Sequence, residues 1–365
     1  MNKIEYKDLI GFHPGYYVKD IINDLNISQI DFAKRLQVSG KTVSMLLSGD
    51  ISISDDLAIK LSKMTGTSIS VWMNLQNTYD QKKAEIDKLR LEEEDITIIS
   101  LIDYTFFTSL NLVSNTTNKA GRVKELCKFL NISSLKVLTE DDFLVNYRVG
   151  VNSLEDKNII NSRAWVQTAI KLGSAIETSK FDCKLLKSYL PEIRSMTLKD
   201  PNEFLPRLID IFSKCGVSFV LLPHLKNSGI NGAVKWINPE KVILAMNNRR
   251  MYADTFWFSL FHEIKHVLQQ KIKTIFINSS KKQDILKMDY ALEEEADLFA
   301  QDFLIPQDEY KNFIYENFRF SEKIIQKFAN DIGIHPGIVV GRLQRDKYIG
   351  YDRYNSLKEK YIIGI

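Results

Sequence analysis

Residues 254–270 read DTFWFSLFHEIKHVLQQ, seventeen positions without a glycine or a proline. Phe258, Phe261, Ile264 and Leu268 recur at helical spacing, with Lys265 opposite, so the stretch is expected to form one amphipathic helix. On it His262 and His266 stand four residues apart, about 40° around the axis, and their imidazoles can converge on one metal ion. Glu263 follows the first histidine, where it can face a water at the metal and act as general base. The chain holds only five histidines, so a chance H-E-x-x-H is expected on the order of a few times per thousand such chains. The competing reading is a pair of histidines satisfied against an apolar helix.

Zinc needs a third protein ligand and an open position. Residues 291–306, ALEEEADLFAQDFLIP, read as a second helix with Leu292, Ala296, Phe299 (or Ala300) and Phe303 turned inward. Glu293 and Asp297 lie at i and i+4 beside that stripe. Glu293 can complete the metal shell, and Asp297 can then accept the free ring N–H of a ligating histidine. Glu294 reads as solvated, and Glu295 is the alternative third ligand.

Outward from this pair of helices the pattern changes. VSFVLL at 217–222 and EKVILAM at 240–246 are β-rich, and NSGINGAVKW at 227–236 reads as a turn followed by alternating positions. Further helical patterns follow at 290–304 and 321–332. The expected fold class is α+β and mainly helical, with a small sheet packed against the H-E-x-x-H helix. LPHL at 222–225, ILAMNN at 243–248, FSLFHEIKHVL at 258–268 and LEEEADLFAQDFLIP at 292–306 together resemble the ImmA/IrrE family of zinc metallo-endopeptidases. IHPGIVVGRLQ at 334–344 is similar to the C-terminal helical motif of some members. The resemblance covers about residues 160–355. It implies a zincin-like metallopeptidase domain, Zn2+ held by His262, His266 and Glu293, Asp297 behind them, and Glu263 as the catalytic base. Lys265 departs from the pattern, because many members carry Gly or Ala there. His335, Arg342 and His224 are candidates for an additional oxyanion donor, with His224 also readable as a plain surface histidine.

The segment 27–50, ISQIDFAKRLQVSGKTVSMLLSGD, has a different grammar. Ser28 can cap a helix burying Phe32, Ala33 and Leu36, the turn follows Leu36 with Val38 buried, and Ser39 can cap a second helix burying Val43, Leu46 and Leu47. That phase exposes Gly40, Lys41, Thr42 and Ser44 where a recognition helix would meet base edges. Gln29, Ser39, Lys41, Thr42 and Ser44 are the candidate DNA contacts. HPGYYVKDIINDLN at 13–26 supplies a preceding helix, and segments 57–64 and 70–79 close an all-α, five-helix domain. The HPG start, FAKRLQVSGKTVSMLLSG and TSISVWMNLQNTYD at 67–80 resemble Xre/Cro-type DNA-binding domains of the HigA-like antitoxin branch. Residues 1–80 carry eight Lys/Arg against nine Asp/Glu, so the non-specific phosphate attraction is weak. Such modules bind paired half-sites, which leads us to expect a homodimer. A helical module used for protein contacts is the alternative.

The remaining stretches organise these two. Residues 81–96, QKKAEIDKLRLEEEDI, are densely charged and read as an exposed connecting helix. Residues 97–215 are expected to be a helical support region, with Tyr147–Arg148 and Arg163–Trp165 read as packing pairs. The expected domains are 1–80, 81–96, 97–215, 216–320 and a C-terminal motif at 321–365. No apolar run approaches the roughly 18 residues of a membrane span, and the N-terminus lacks the apolar core of a signal peptide. Three scattered cysteines, Cys127, Cys183 and Cys215, fit a reducing cytoplasm. The resemblances imply a cytoplasmic DNA-binding regulator with zinc endopeptidase activity, acting on a repressor or other regulatory protein. The alternative is a non-enzymatic repressor or antitoxin whose metallopeptidase-like domain serves as sensor or scaffold.

Overall fold

The computed structural model describes residues 3–140, 147–149, 156–248, 252–269 and 282–361. The chain divides into two units, Met1–Thr97 and Ile98–Ile365.

The N-terminal unit is not all-α. It opens with an antiparallel hairpin of Lys3–Tyr6 (β1) and Leu9–Phe12 (β2), in which Tyr6 faces Leu9 across a two-residue turn. Each strand has only four residues, and Lys7 takes the left-handed turn position (φ +52). Neither the length nor the turn chemistry announces a hairpin in the sequence. Helices Pro14–Asp24 (α1), Gln29–Leu36 (α2), Gly40–Ser48 (α3) and Asp55–Thr65 (α4) follow. Ser28 accepts from Asp31 N–H, Ser39 from Thr42 N–H and Ser54 from Leu57 N–H, so three helices start on hydroxyl caps. Their shared core is Val18, Ile22, Phe32, Ala33, Leu36, Val43, Leu46, Leu57, Leu61 and Trp72. Val38 and Leu47 are half-buried against it. α1 begins differently: the His13 ring accepts from Gly15 N–H at 3.1 Å, with Pro14 in the first turn. Gly15 is required there, because a Cβ would lie 1.9 Å from the Leu46 carbonyl oxygen. Ile69–Ile99 (α5) is one helix, and residues 81–96 form part of it. Its sequence contains no Gly or Pro, so charge density changes along it without ending it.

In the second unit, helices Tyr104–Ser109 (α6) and Lys119–Leu130 (α7) precede a four-stranded sheet, and Asp156–Ala175 (α8) follows its first strand. Tyr147–Val149 (β3), Val217–Leu222 (β4), Ile230–Asn238 (β5) and Lys241–Asn247 (β6) are ordered β3-β5-β6-β4. β4 and β6 are parallel, and the other pairings are antiparallel. Alternation along β6 separates two cores. Ile243 and Ala245 join Ile160, Ala164, Trp165 and Ala169 of α8 on one face. Val242, Leu244 and Met246 face the other, with helices Cys183–Ser195 (α9), Pro201–Lys214 (α10) and Ala253–Leu268 (α11). Lys282–Leu304 (α12), Gln307–Glu316 (α13), Glu322–Ile332 (α14) and Pro336–Arg345 (α15) complete that layer. Arg194 of α9 donates to the carbonyls of Phe303, Leu304 and Ile332 and so closes the C-terminal ends of α12 and α14. Arg163 is buried and donates to the Leu138 carbonyl, and the Trp165 indole N–H donates to Pro223. The side chains of Tyr147 and Arg148 lie outside the described residues. Among the described residues no helix is long and apolar enough to cross a membrane.

Candidate metal centre and nucleic-acid interface

α11 lies inside the second unit between the sheet and α12, and it is buried nearly all round. Phe256, Trp257, Leu260, Phe261, Ile264 and Val267 are its core residues, while Phe258 and Leu268 are only half-buried. A helix apolar on nearly every side gives no unique phase, so spacing found Phe261 and Ile264 but put Phe258 and Leu268 in the stripe in place of Phe256, Trp257, Leu260 and Val267. The same burial takes in the polar ones: His262 is 1% and Glu263 2% exposed. On α12, Ala296, Ala300 and Leu304 are buried, and Phe299 and Phe303 are half-buried.

His262, His266 and Glu293 offer ligand atoms that all lie within 4.8 Å of one another. The two Nε2 atoms are 3.0 Å apart, and the Glu293 oxygens stand 3.2 Å from that of His262 and 3.3 Å from that of His266. Each opposite ring nitrogen is held. His262 Nδ1 meets Asp297 Oδ1 at 2.9 Å, and Asp297 Oδ2 accepts from Arg345 at 3.1 Å. His266 Nδ1 meets Gln269 Oε1 at 2.8 Å. With both Nδ1 atoms donating, the Nε2 atoms of the neutral rings carry lone pairs and face each other and a carboxylate. Three electron-pair donors cannot stand that close in a half-buried place without something positive between them, so the donor set fits a divalent cation and its composition fits zinc. Protons on the rings can take the same place as a cation. Burial by itself would raise the Glu293 pKa, but hydrogen bonds from His262 and His266 hold it well below the usual carboxylate range. Burial would lower His266, yet the bond to Glu293 and the charges of Glu263 and Glu293 raise it.

Glu295 is placed elsewhere. Its Oε1 pairs with Lys265 Nζ at 2.7 Å and its Oε2 accepts from Gln269 at 2.7 Å, which leaves Glu293 as the carboxylate beside the histidines. Glu263 packs against β5, where Gly232 makes the room: a Cβ at 232 would come within 2.7 Å of its Cγ and Oε1. The three oxyanion candidates are engaged in other bonds. His335 accepts from Gly337 N–H and faces Glu359 at 3.3 Å, Arg342 pairs with Asp346 at 2.6 Å, and His224 meets Ser228 at 3.3 Å. Gln269 and Arg345 are the residues that sequence reading missed. Gln269 lies just past the end of α11 and Arg345 is 48 residues from Asp297, so neither carries a periodic or motif signal.

In the N-terminal unit, Gln29, Gly40, Lys41 and Ser44 are exposed at the starts of α2 and α3. Nothing stands within 4 Å of where a Cβ on Gly40 would be. Thr42 departs from the expected exposure: it is half-buried, and its hydroxyl sits 2.8 Å from that of Ser39. Ser39 accepts from Thr42 N–H at 3.0 Å, so both hydroxyls serve the helix start.

Comparison with known proteins divides the chain in the same way. Residues 18–72 match the helix-turn-helix family, and residues 227–344 match the IrrE N-terminal-like domain of peptidase family M78. The uncharacterized HTH-type transcriptional regulator YddM of Escherichia coli is 36% identical over 80 residues, which is 21% of this chain and 85% of that protein. Virulence-associated protein I of Dichelobacter nodosus is 29% identical over 82 residues, 22% of this chain and 76% of its own. Among solved structures, a HigA-family addiction module antidote protein from Coxiella burnetii is 33% identical with a TM-score of 0.22, covering 23% of this chain and 92% of that one. The chain therefore belongs to the Xre-like helix-turn-helix DNA-binding regulators and joins to that module an IrrE N-terminal-like domain of the M78 peptidase family.

Proposed function

We propose that this regulator is also a zinc-dependent endopeptidase that cuts a regulatory protein, such as a transcriptional repressor, in the cytoplasm. The observation that carries the proposal is the convergence of His262 Nε2, His266 Nε2 and Glu293 beside the buried Glu263 carboxylate. His262, His266 and Glu293 would hold the zinc, and Asp297 keeps the proton of His262 on Nδ1. When bound, zinc supplies Lewis-acid polarisation of a scissile carbonyl and acidifies water towards a pKa of about 7. Glu263 takes a proton from the attacking water and passes it to the leaving amine. Gly232 lets β5 run close to that carboxylate. A retired enzyme serving as sensor or scaffold would have no use for Glu263, which favours the enzymatic reading.

The N-terminal unit would bring this chemistry to an operator. Gln29, Ser39, Lys41, Thr42 and Ser44 form its candidate contact surface, read by two copies on paired half-sites. The decisive experiment purifies the chain, measures bound metal, and co-expresses it with a candidate repressor substrate. Wild type should carry about one zinc per chain and deplete the repressor, whereas Glu263→Gln should carry zinc and spare it. Metal-free wild type, or equal depletion by Glu263→Gln, would sink the proposal.

A further inference from the structure

The two histidines of the cluster are held in different ways, and the difference leads to Lys265. His262 has a carboxylate directly on Nδ1, supplied by Asp297. His266 has a neutral amide there, the Oε1 of Gln269 at 2.8 Å. An amide has two faces, and only one can serve. If its NH2 faced His266, the ring would have to place its lone pair on Nδ1 and its proton on Nε2, the atom that points at Glu293 and His262. Something must therefore fix which way the amide lies.

The fixing groups are the carbonyl of Leu292, at 3.2 Å from Gln269 Nε2, and Glu295 Oε2, at 2.7 Å. Both can only accept, so the amide meets them with its NH2 and turns Oε1 to His266. Glu295 is itself held through Oε1 by Lys265 Nζ at 2.7 Å, with the ammonium lying 5.4 Å from the centre of the Phe299 ring. Lys265 is the residue between the two histidines, and Glu295 belongs to the acidic run of α12 that had suggested a ligand.

We propose that Lys265, Glu295 and Gln269 form a positioning relay that sets the tautomer of His266 and so keeps its Nε2 available to a metal ion. The proposal rests on the metal reading of the His262, His266 and Glu293 cluster. Lys265 fixes the carboxylate, the carboxylate fixes the amide, and the amide fixes the proton. The relay explains why the charged Lys265 is compatible with the site: its charge is spent on Glu295, one side chain away from the ligands. Glu295 is thereby a positioning residue and Glu293 a ligand, although they are two positions apart on one helix.

The test measures zinc affinity by competition with a chromophoric chelator, together with the visible absorption bands of the Co2+-substituted full chain. Gln269→Leu removes the acceptor and should weaken zinc by about tenfold or more, the usual range for losing such a partner being about 10–100-fold. Its Co2+ bands should shift in position or intensity. Lys265→Arg keeps the pair and should bind like wild type. The discriminating variant is the exchange Lys265→Glu with Glu295→Lys. It preserves the ion pair, so a purely structural bridge predicts wild-type melting temperature and wild-type affinity. The relay predicts wild-type melting temperature with zinc weakened at least as much as in Gln269→Leu. A lysine at 295 donates, and it turns the amide so that NH2 faces His266. Wild-type affinity and bands in the exchanged protein, or in Gln269→Leu, would overturn the relay while leaving the metal site standing. Absence of zinc from wild type would instead remove the metal reading and the relay with it.

Discussion

α3 and α11 both carry the polar side chains of a proposed site, and they do so in opposite environments. The polar residues of α3 stand at or near the surface: Lys41 and Ser44 are exposed, and Ser39 bonds to the half-buried Thr42 at the helix start. The polar residues of α11 are in the core, where His262 and Glu263 are almost fully buried and His262 leans on Asp297, which leans on Arg345. A surface contact residue is free to change because water replaces what is lost. A buried polar residue has no such substitute, so it needs supporting partners, and those partners need their own. The site on α11 should therefore respond to substitutions one and two side chains away, and the surface on α3 only to substitutions at the contact itself.

The largest expected effect is at the ligands. His262→Ala leaves two donors, and the purified chain should contain no stoichiometric zinc and show no repressor cleavage. Next is Glu263→Gln, which should retain zinc while cleavage falls by about 10²–10⁴-fold; equal loss of zinc would show that Glu263 serves the metal and not the proton. Gly232→Ala would sharpen the comparison further, since the three atoms nearest the added methyl all belong to Glu263. We expect zinc content to be unchanged and cleavage to fall by up to about 10²-fold, the usual cost of a displacement near 1 Å. On the other side, Lys41→Ala should weaken operator binding and lower the salt dependence by about one unit of slope. It should leave zinc and cleavage of a soluble substrate unaltered. Undiminished gel-shift affinity would mean that the contact surface lies elsewhere. Ser39→Ala should cost about 1 kcal/mol of stability through its cap, read from chemical denaturation, with DNA binding reduced only as far as α3 frays.

The smallest effect is a dependence on pH. Burial lowers the pKa of both His13 and His335, even though Asp80 pulls the first upward, and Glu359 and Asp254 the second. Each ring accepts a hydrogen bond at Nδ1 in the folded chain, so protonation removes the cap. The folded values lie below the unfolded value of about 6.5, so this stabilisation is complete above pH 6.5 and is lost as the pH falls through the lowered values. The denaturation midpoint should decline more steeply below pH 6.5 in wild type than in a His13→Asn, His335→Asn double variant.

Local signals were legible in the sequence where the cause is itself local. Ser28 and Ser39 could be read as caps because capping is decided within three residues. The four-residue spacing of His262 and His266 could be read as convergence because helix geometry supplies the angle. β4 and β6 showed as apolar runs bounded by turn residues. What stayed hidden depends on partners distant in the chain or on symmetry in the pattern. The apolar face of α11 was read only in part, Phe261 and Ile264 but not Phe256, Trp257, Leu260 or Val267, because the helix is covered on nearly every side. Gln269, Arg345 and the engagement of Glu295 by Lys265 exist only once α11, α12 and α15 are packed together. The β1–β2 hairpin lacks both length and a turn residue that would mark it, and the continuity of α5 was masked by a change from mixed to charged composition.

The phrase His-Pro-Gly occurs twice in this chain, at 13–15 and at 335–337, and both copies perform one mechanical act. The imidazole takes the third residue's amide proton, the proline presets the first turn, and the glycine clears a neighbouring carbonyl, that of Leu46 in one unit and Leu357 in the other. As a mark of kinship the phrase stood in both resemblances, in the HPG start of the DNA-binding module and in the IHPGIVVGRLQ motif of the peptidase-family unit. It works as punctuation, and punctuation carries no address: a search keyed to it would file both halves of this chain under one heading.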